Sequence, residues 1–135
     1  MQPKAVYTPL VPAGRAKISQ AMIFGNLVYV SGMVARDQTT GTTIPGGLAE
    51  QTRQVLENIN AVLEAAGTTR EYVIKTDVHL VDMTQFESFN KVWEEFFPTN
   101  PPARICTQAG ALGPTFLVEI DAIAGLPQTI PESAR

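Results

Sequence analysis

The sequence predicts an α+β domain in which two helices cover one face of a mostly antiparallel sheet. The 135 residues are enough for one hydrophobic core but not for two. Apolar residues make up 44% of the chain, which excludes global disorder. Short β-type segments lie before, between and after two segments with helical spacing. We therefore expect a single domain over residues 1–135, with the element order β-β-α-β-α-β-β and an extended tail from about residue 125.

The first two strands are predicted at residues 21–24 and 27–31. They flank the dipeptide Gly25-Asn26, and both of these residues tolerate the positive φ angles that two-residue hairpin turns require. Residues 36–47 are rich in Thr and Gly and show little periodicity, which is typical of a loop. The chain is thus expected to start with a β-hairpin and a loop.

Two segments have the spacing of an amphipathic helix. In residues 48–66 the apolar positions recur every three or four residues, with Thr52 filling one step, and Gly67 follows where a helix-terminating glycine belongs. The second segment begins at about Thr84 and ends near Pro98. The apolar positions of the first are Leu48, Val55, Ile59, Val62, Leu63 and Ala66, and those of the second, which we interpret as core, are Phe86, Phe89, Val92, Trp93, Phe96 and Phe97.

Three further strands are predicted, at residues 72–81, 103–108 and 116–124. The first of them alternates between an apolar and a polar face, which is typical of a strand covered on one side. Its apolar face carries Ile74, Thr76, Val78 and Leu80, and its polar face carries Lys75, Asp77 and His79. The segment AGALGP, before the last strand, is interpreted as a turn.

The face of the last strand that points away from the helices has a mixed character. Leu117 and Ile123 lie on the same side of this strand as Glu119 and Asp121. Such a face is too apolar for one exposed only to water, yet it carries charge. Our hypothesis is that another subunit covers it.

Composition excludes several classes of protein. A single Cys cannot form an intramolecular disulfide, and a single His cannot complete a Cys/His zinc site. A net charge of −3 does not supply the cationic field that nonspecific nucleic-acid binding needs. Because the first residues contain no continuous apolar segment, we expect a soluble, cytoplasmic protein without a membrane partner.

Two charged residues are candidates for chemistry. Arg104 stands at the start of a strand after a Pro-Pro-Ala segment, and Glu119 lies in the apolar run FLVEIDAIA. A carboxylate among apolar neighbours is costly unless it is paired or solvated, which is one mark of a functional site. The alternative is an exposed arginine and a glutamate on a solvated face. Cys106 is interpreted as a small buried hydrophobe rather than a nucleophile, because no cationic partner lies nearby in sequence.

A catalytic triad is the other arrangement that these residue types allow. Ser31, Asp77 and His79 are its only possible members, because the chain has one histidine. Ser31 lacks the G-x-S-x-G turn, and the other two lie on the polar face of one strand, where charged residues are expected anyway. We therefore do not assign a triad.

Six segments occur in a familiar order from about residue 18 to residue 124. They are GNLVYVSG (25–32), EQTRQVLENINAVLEAAG (50–67), VIKTDVHLVDM (73–83), FNKVWEEFF (89–97), NPPAR (100–104) and LVEIDAIA (117–124). In these segments the chain resembles the Rid (reactive intermediate deaminase) family, of the RidA/YjgF type. The resemblance implies a chorismate-mutase-like fold and a homotrimer with clefts between subunits. It also implies hydrolysis of reactive enamine/imine intermediates to 2-oxo acids and ammonia, without a cofactor.

The resemblance also implies roles for individual residues. The arginine of the PPAR segment, here Arg104, would bind the carboxylate of a small-molecule substrate, and the glutamate of the VEI segment, here Glu119, would hold and activate water. Further residues that match the pocket of the family are Ile18, Ser31, Gly32, Asn90 and Cys106, the last through its backbone more than its thiol.

Two departures from the family pattern change the expected pocket. Ile18 stands where the family commonly has a tyrosine, and Met33 stands where a glutamine is frequent. Both make the pocket more apolar, which predicts a substrate with a larger or more apolar side group than 2-aminoacrylate, such as a pathway-specific amino-diene acid. Two alternatives remain: a noncatalytic protein that binds small carboxylates, and a ribonuclease, which the acidic charge disfavours.

Overall fold

The computed structural model describes residues 1–14 and 16–127, which form a six-stranded mixed sheet with two helices on one face. The strands are β1 (Lys4–Val6), β2 (Ala21–Phe24), β3 (Leu27–Met33), β4 (Val73–Leu80), β5 (Ala103–Gln108) and β6 (Val118–Gly125), and the helices are α1 (Leu48–Ala66) and α2 (Phe86–Phe96). The strand order is β1-β2-β3-β6-β4-β5. Neighbouring strands are antiparallel except β4 and β5, which are parallel. The predicted α+β class and the helices on one face are confirmed.

The predicted hairpin joins β2 and β3 through Gly25 and Asn26. Gly25 has a φ of +65°, whereas Asn26 is not in the positive region. A positive φ at the first loop residue alone is the requirement of a type II′ turn, one of the two turns that suit a two-residue hairpin. The prediction lacked β1, which has only three residues and pairs with β2 at the edge of the sheet.

Helix α1 has the bounds that its periodicity predicts. At its start the Glu50 Oε1 atom accepts a hydrogen bond from the Gly47 backbone N–H at 2.8 Å. At its end Gly67 has a φ of +91° and donates its N–H to the Glu64 carbonyl at 3.0 Å, so the left-handed glycine terminates the helix. Helix α2 begins two residues after the predicted position, because residues 83–85 form a 3-10 turn.

The core lies between the helices and one face of the sheet. From α2 it contains Phe89, Val92 and Trp93, as predicted, and from the sheet it contains strand residues such as Val78 and Ile120. Phe86 is half-buried and packs against this core. No helix of the described chain is long and apolar enough to cross a membrane.

The prediction for Ile74 was wrong. It was placed on the covered face of its strand with Thr76 and Val78, but its side chain is 52% exposed. The register between β4 and β6 shifts between Val73 and Lys75, which is the signature of a bulge. A bulge inserts one residue and reverses the alternation locally, so Val73 takes the buried position instead.

The opposite face of the sheet is uncovered in the single chain. Glu119, Asp121 and Ile123 alternate with buried residues of β6 and are half-buried on this open face, as the sequence predicts. The prediction for Leu117 was wrong: it precedes β6, its N–H donates to Gln51 of α1, and its side chain packs against the core. Tyr29 on β3 and Ile105 on β5 also lie there and are 46% and 51% exposed. Of the predicted tail, Gly125 is the last residue of β6 and Leu126 donates its N–H to the Asn26 carbonyl. Residues 128–135 lie outside the described chain.

Candidate functional site

The structure divides the predicted site residues between the two faces of the sheet. Arg104 is paired with Thr76 in the parallel ladder, and the Thr76 side chain is buried under the helices. Glu119 lies between the buried residues Val118 and Ile120, so its side chain points to the open face. One chain therefore does not bring the arginine and the glutamate together.

Arg104 is held by helix α2. Its Nη1 atom donates a hydrogen bond to the Asn90 Oδ1 atom at 2.9 Å. The guanidinium carbon lies 4.9 Å from the Trp93 ring centroid, 5.3 Å from that of Phe86 and 5.5 Å from that of Phe89. These rings attract the cation through their faces. Within the described chain no carboxylate pairs with Arg104, so its remaining N–H groups are available to an anion.

Cys106 lies two residues further along β5, on the same face as Arg104. Its Sγ atom is 3.9 Å from the Met83 sulfur, and the side chain is half-buried. Burial raises the pKa of the Cys106 thiol, and the positive charge of Arg104 offsets this only in part. The thiol is therefore protonated near neutral pH, which agrees with its interpretation as a small hydrophobe rather than a nucleophile.

A cavity of about 230 Å³ brings together the other predicted residues, Ile18, Ser31, Gly32 and Glu119. It lies between loop residues 11–14 and 16–20, the end of β3 and helix α1. Its apolar lining consists of Val11, Pro12, Ala13, Ala16, Ile18, Met33 and Val34, and its polar lining consists of Ser19, Gln20, Ser31, Arg36, Asn58 and Glu119 together with the glycines Gly14 and Gly32.

Gly32 determines where the Glu119 side chain can lie. A Cβ atom at position 32 would be 3.0 Å from Glu119 Cδ and 3.2 Å from Glu119 Oε1. Such contacts are tighter than usual, so glycine lets the carboxylate pass over β3 in its present position, and a larger residue would require it to shift by a few tenths of an ångström. The β3–β6 register shifts between Val30 and Met33, so Gly32 lies in a bulge of the kind found beside active sites. Across residues 1–14 and 16–127 no side chain hydrogen-bonds or ion-pairs with the Glu119 carboxylate.

Other polar groups of the cavity are already engaged by the protein. The Ser31 hydroxyl donates to the Ser19 carbonyl at 2.6 Å. The Gln20 amide accepts from the Thr8 N–H at 2.7 Å and donates to the Thr8 carbonyl at 3.1 Å. The Asn58 amide donates to two loop carbonyls. These side chains shape the wall, and among the side chains that the structure describes here Glu119 remains an acceptor without a donor.

Arg36 is a cavity residue that the sequence did not indicate. It was part of a segment predicted as a loop, and the structure places it at the start of that loop, half-buried beside the Phe116 ring. A charged residue directly after the apolar run of β3 was the available signal.

Neither a triad nor a metal centre is assembled in the part of the chain that the structure describes. The His79 Nδ1 atom pairs with the Thr107 hydroxyl at 3.0 Å, and Asp77 accepts from the Lys75 ammonium at 2.8 Å. Ser31 is engaged elsewhere, as described above. No group of three or more His, Cys, Asp or Glu side chains converges there.

Comparisons with known proteins agree with this fold. The model of the family described as endoribonuclease L-PSP matches residues 9–126. A RutC family protein of Pyrococcus horikoshii is 40% identical over 121 residues, which cover 90% of this chain and 96% of the relative. The rat protein named 2-iminobutanoate/2-iminopropanoate deaminase is 38% identical over 121 residues, which cover 90% of this chain and 88% of the relative. The crystal structure of RidA from an Antarctic Psychrobacter has a TM-score of 0.87 and 36% identity, covering 91% of this chain and 99% of that one. The chain belongs to the endoribonuclease L-PSP family, the family of the RutC and RidA proteins.

Proposed function

We propose that this protein is a deaminase that hydrolyses 2-imino acids and their enamine tautomers to 2-oxo acids and ammonia. The observation that carries the proposal is the pair of free groups on the two faces of the sheet. Arg104 has N–H groups for a carboxylate, and the Glu119 carboxylate, which no side chain of the described residues engages, is available to a water. The relatives named imine deaminases support the same reaction class.

The active site is proposed to form between two subunits. Arg104 is on β5, at the edge of the sheet, and Glu119 faces the cavity on the other side. The open face carries the exposed apolar side chains of Tyr29 and Ile105, which a second copy would cover. In a ring of identical subunits, each β5 edge would meet the cavity of its neighbour. The resemblance of the sequence to the Rid family suggests that the ring is a homotrimer.

Arg104 would bind and orient the substrate. The guanidinium is permanently charged and holds a carboxylate through two parallel hydrogen bonds. Asn90 occupies one N–H group and the ring of Trp93 supports the planar fork, so the remaining donors have a fixed direction. Because the imine carbon is bonded to this carboxylate, binding of the carboxylate also sets the position and orientation of the imine carbon.

Glu119 would transfer the protons. Its carboxylate accepts a proton from water as the oxygen attacks the imine carbon, which gives a tetrahedral carbinolamine. Returning this proton to the nitrogen completes the carbinolamine. The carboxylate then takes the hydroxyl proton and passes it to the nitrogen as the C–N bond breaks, so that ammonia leaves and the C=O bond of the 2-oxo acid forms. Gly32 permits the required position of the carboxylate, and Ile18 contributes an apolar, 70% exposed side chain to the cavity. Cys106 is proposed to contribute through its backbone.

The proposal is tested with imino acids generated freshly by an amino-acid oxidase, with release of 2-oxo acid and ammonia followed in time. We expect the wild-type protein to accelerate release, and Arg104→Ala and Glu119→Gln to lose at least about a hundredfold in rate. Arg53→Ala, a change to an exposed arginine on α1 whose contact with Glu95 is 3.8 Å long, is the matched control and should retain full activity.

Two other results would change the conclusion. Binding of 2-oxo acids without acceleration of imine hydrolysis would identify a noncatalytic carboxylate-binding protein. Degradation of RNA by a highly purified sample, lost in Glu119→Gln, would identify a ribonuclease instead.

A further inference from the structure

Arg36 lines the same cavity as Glu119 and carries a positive charge that the proposed reaction does not use. Its Nη1 atom donates to the Gly41 carbonyl at 3.2 Å, and its guanidinium carbon lies 5.1 Å from the Phe116 ring centroid. The Nη2 atom lies 3.5 Å from the position that a Cβ atom would take at Gly14, in the loop that forms the opposite wall. The free edge of the guanidinium therefore points into the cavity.

The charge of Arg36 has no partner among the residues that the structure describes. The ion pairs found there are Arg53–Glu95 and Lys75–Asp77. The neighbouring carboxylate, Asp37, is turned toward its own loop, where it accepts the backbone N–H groups of residues 39 and 40 at 2.8 and 2.9 Å. Glu119 faces the same cavity without pairing with Arg36. A half-buried cation with no counter-ion among the described residues offers its N–H groups to an anion in the cavity.

The space around Arg36 suits the far end of an extended substrate. The wall contributed by Pro12, Ala13 and Ile18 is apolar, and the amides beside it are already hydrogen-bonded. A volume of about 230 Å³ holds roughly seven water-sized groups at about 30 Å³ each. That is enough for a short hydrocarbon chain that ends in a carboxylate. Because Glu119 repels anions, such a carboxylate would lie at Arg36 and away from the reacting carbon.

We infer that Arg36 binds a second carboxylate, so that the preferred substrates are 2-imino or 2-amino-enoic acids with an acidic group at the end of the side chain. This inference rests on the proposed function, in which Arg104 of a neighbouring subunit binds the first carboxylate. The apolar wall then contacts the hydrocarbon between the two acids. The sequence predicts a substrate with a larger or more apolar side group. Arg36 makes that prediction more specific, because a cation in the cavity favours a side group that carries a negative charge.

The test compares two stable product-like ligands of equal length. 2-Oxoadipate ends in a carboxylate and 2-oxohexanoate ends in a methyl group, and titration calorimetry gives both dissociation constants. We expect the wild-type protein to bind 2-oxoadipate at least about tenfold more tightly, the usual value of a charge-assisted hydrogen bond. In Arg36→Gln the ratio of the two dissociation constants should fall to about one. Arg36→Lys should keep part of the preference for 2-oxoadipate.

Gln is chosen because its amide can still donate to the Gly41 carbonyl, and the melting temperature of each variant checks folding. Arg53→Gln, on the outer surface of α1, should keep the wild-type ratio. A wild-type ratio near one, or a preference that persists in Arg36→Gln, would overturn the inference. The proposed function fails separately: a normal ratio without imine hydrolysis would leave a dicarboxylate-binding protein that is not a deaminase. If Arg104→Ala weakens neither ligand, Arg104 is not the first anchor.

Discussion

Replacing Gly32 by alanine should impair catalysis while leaving the protein folded. The added Cβ would lie 3.0 Å from Glu119 Cδ, 3.2 Å from Oε1 and 3.3 Å from Cγ, so the carboxylate must move by a few tenths of an ångström. A displacement on the order of 1 Å can cost about a hundredfold in rate. Because the expected shift is smaller than this, we expect kcat to fall by roughly tenfold, as the carboxylate is displaced from the attacking water.

Stability should change little in this variant. The atoms that would clash belong to the end of a flexible, half-buried side chain, and φ at Gly32 is not positive. Crowding by the added methyl group lowers the free energy of unfolding by about 1 kcal/mol or less. The smaller conformational freedom of alanine in the unfolded chain raises it by about 1 kcal/mol or less, so the two effects oppose each other. The assay is imine hydrolysis together with thermal unfolding. Gly110→Ala is the matched control, since nothing lies within 4 Å of its added Cβ. Wild-type kcat in Gly32→Ala would refute the role assigned to the Glu119 position.

Four further predictions concern groups around the site and the core. Thr76→Val should raise the free energy of unfolding by about 1 kcal/mol in a denaturant titration, because the buried Thr76 hydroxyl has no partner in the described chain. Thr52→Val should lower it by about 0.5 to 1 kcal/mol, since that hydroxyl donates to a helix carbonyl at 2.7 Å. Asn90→Ala should raise KM for imino acids about tenfold with a smaller change in kcat. The substitution removes the hydrogen bond that orients the Arg104 guanidinium but keeps the guanidinium itself. Alkylation of Cys106 should show a pH midpoint above that of a free thiol, since its raised pKa keeps it protonated as the pH rises through the ordinary range.

For three of these predictions the contradicting result is specific. A loss of stability in Thr76→Val would mean that the hydroxyl has a partner such as a bound water. A fall in kcat alone in Asn90→Ala would place Asn90 in the chemical step rather than beside the anchor. Rapid alkylation of Cys106 at neutral pH would contradict the half-buried environment of its sulfur.

Local sequence patterns were sufficient for most elements of the fold. Gly25 and Gly67 adopt the positive φ angles that their places after a strand and after a helix predict. The failures come from pairing between distant segments. The bulge that turns Ile74 outward depends on the register against β6, and the three residues of β1 have no pattern of their own. Neither the bulge nor the short strand can be predicted from residues that are adjacent in sequence.

The candidate site residues were named through the resemblance to a family, but where the fold places each of them could not be predicted from the sequence. In β5 hydropathy favours burial of Ile105 and exposure of Arg104, yet Ile105 is 51% exposed and Arg104 lies half-buried under the aromatic side of α2. The parallel pairing with β4 sets this orientation. Arg36 was missed for a similar reason, since its cavity is formed by a loop, a strand and a helix that are far apart in sequence.

The most direct test of the shared site is complementation between two inactive variants. Arg104→Ala and Glu119→Gln are unfolded together in equal amounts, refolded as mixed oligomers and assayed for imine hydrolysis. If each site takes its arginine from one subunit and its glutamate from the next, about one quarter of the sites in a randomly mixed ring contain both wild-type residues. We therefore expect about one quarter of wild-type activity from the mixture and almost none from either variant refolded alone. A mixture as inactive as its components would contradict a site formed between subunits.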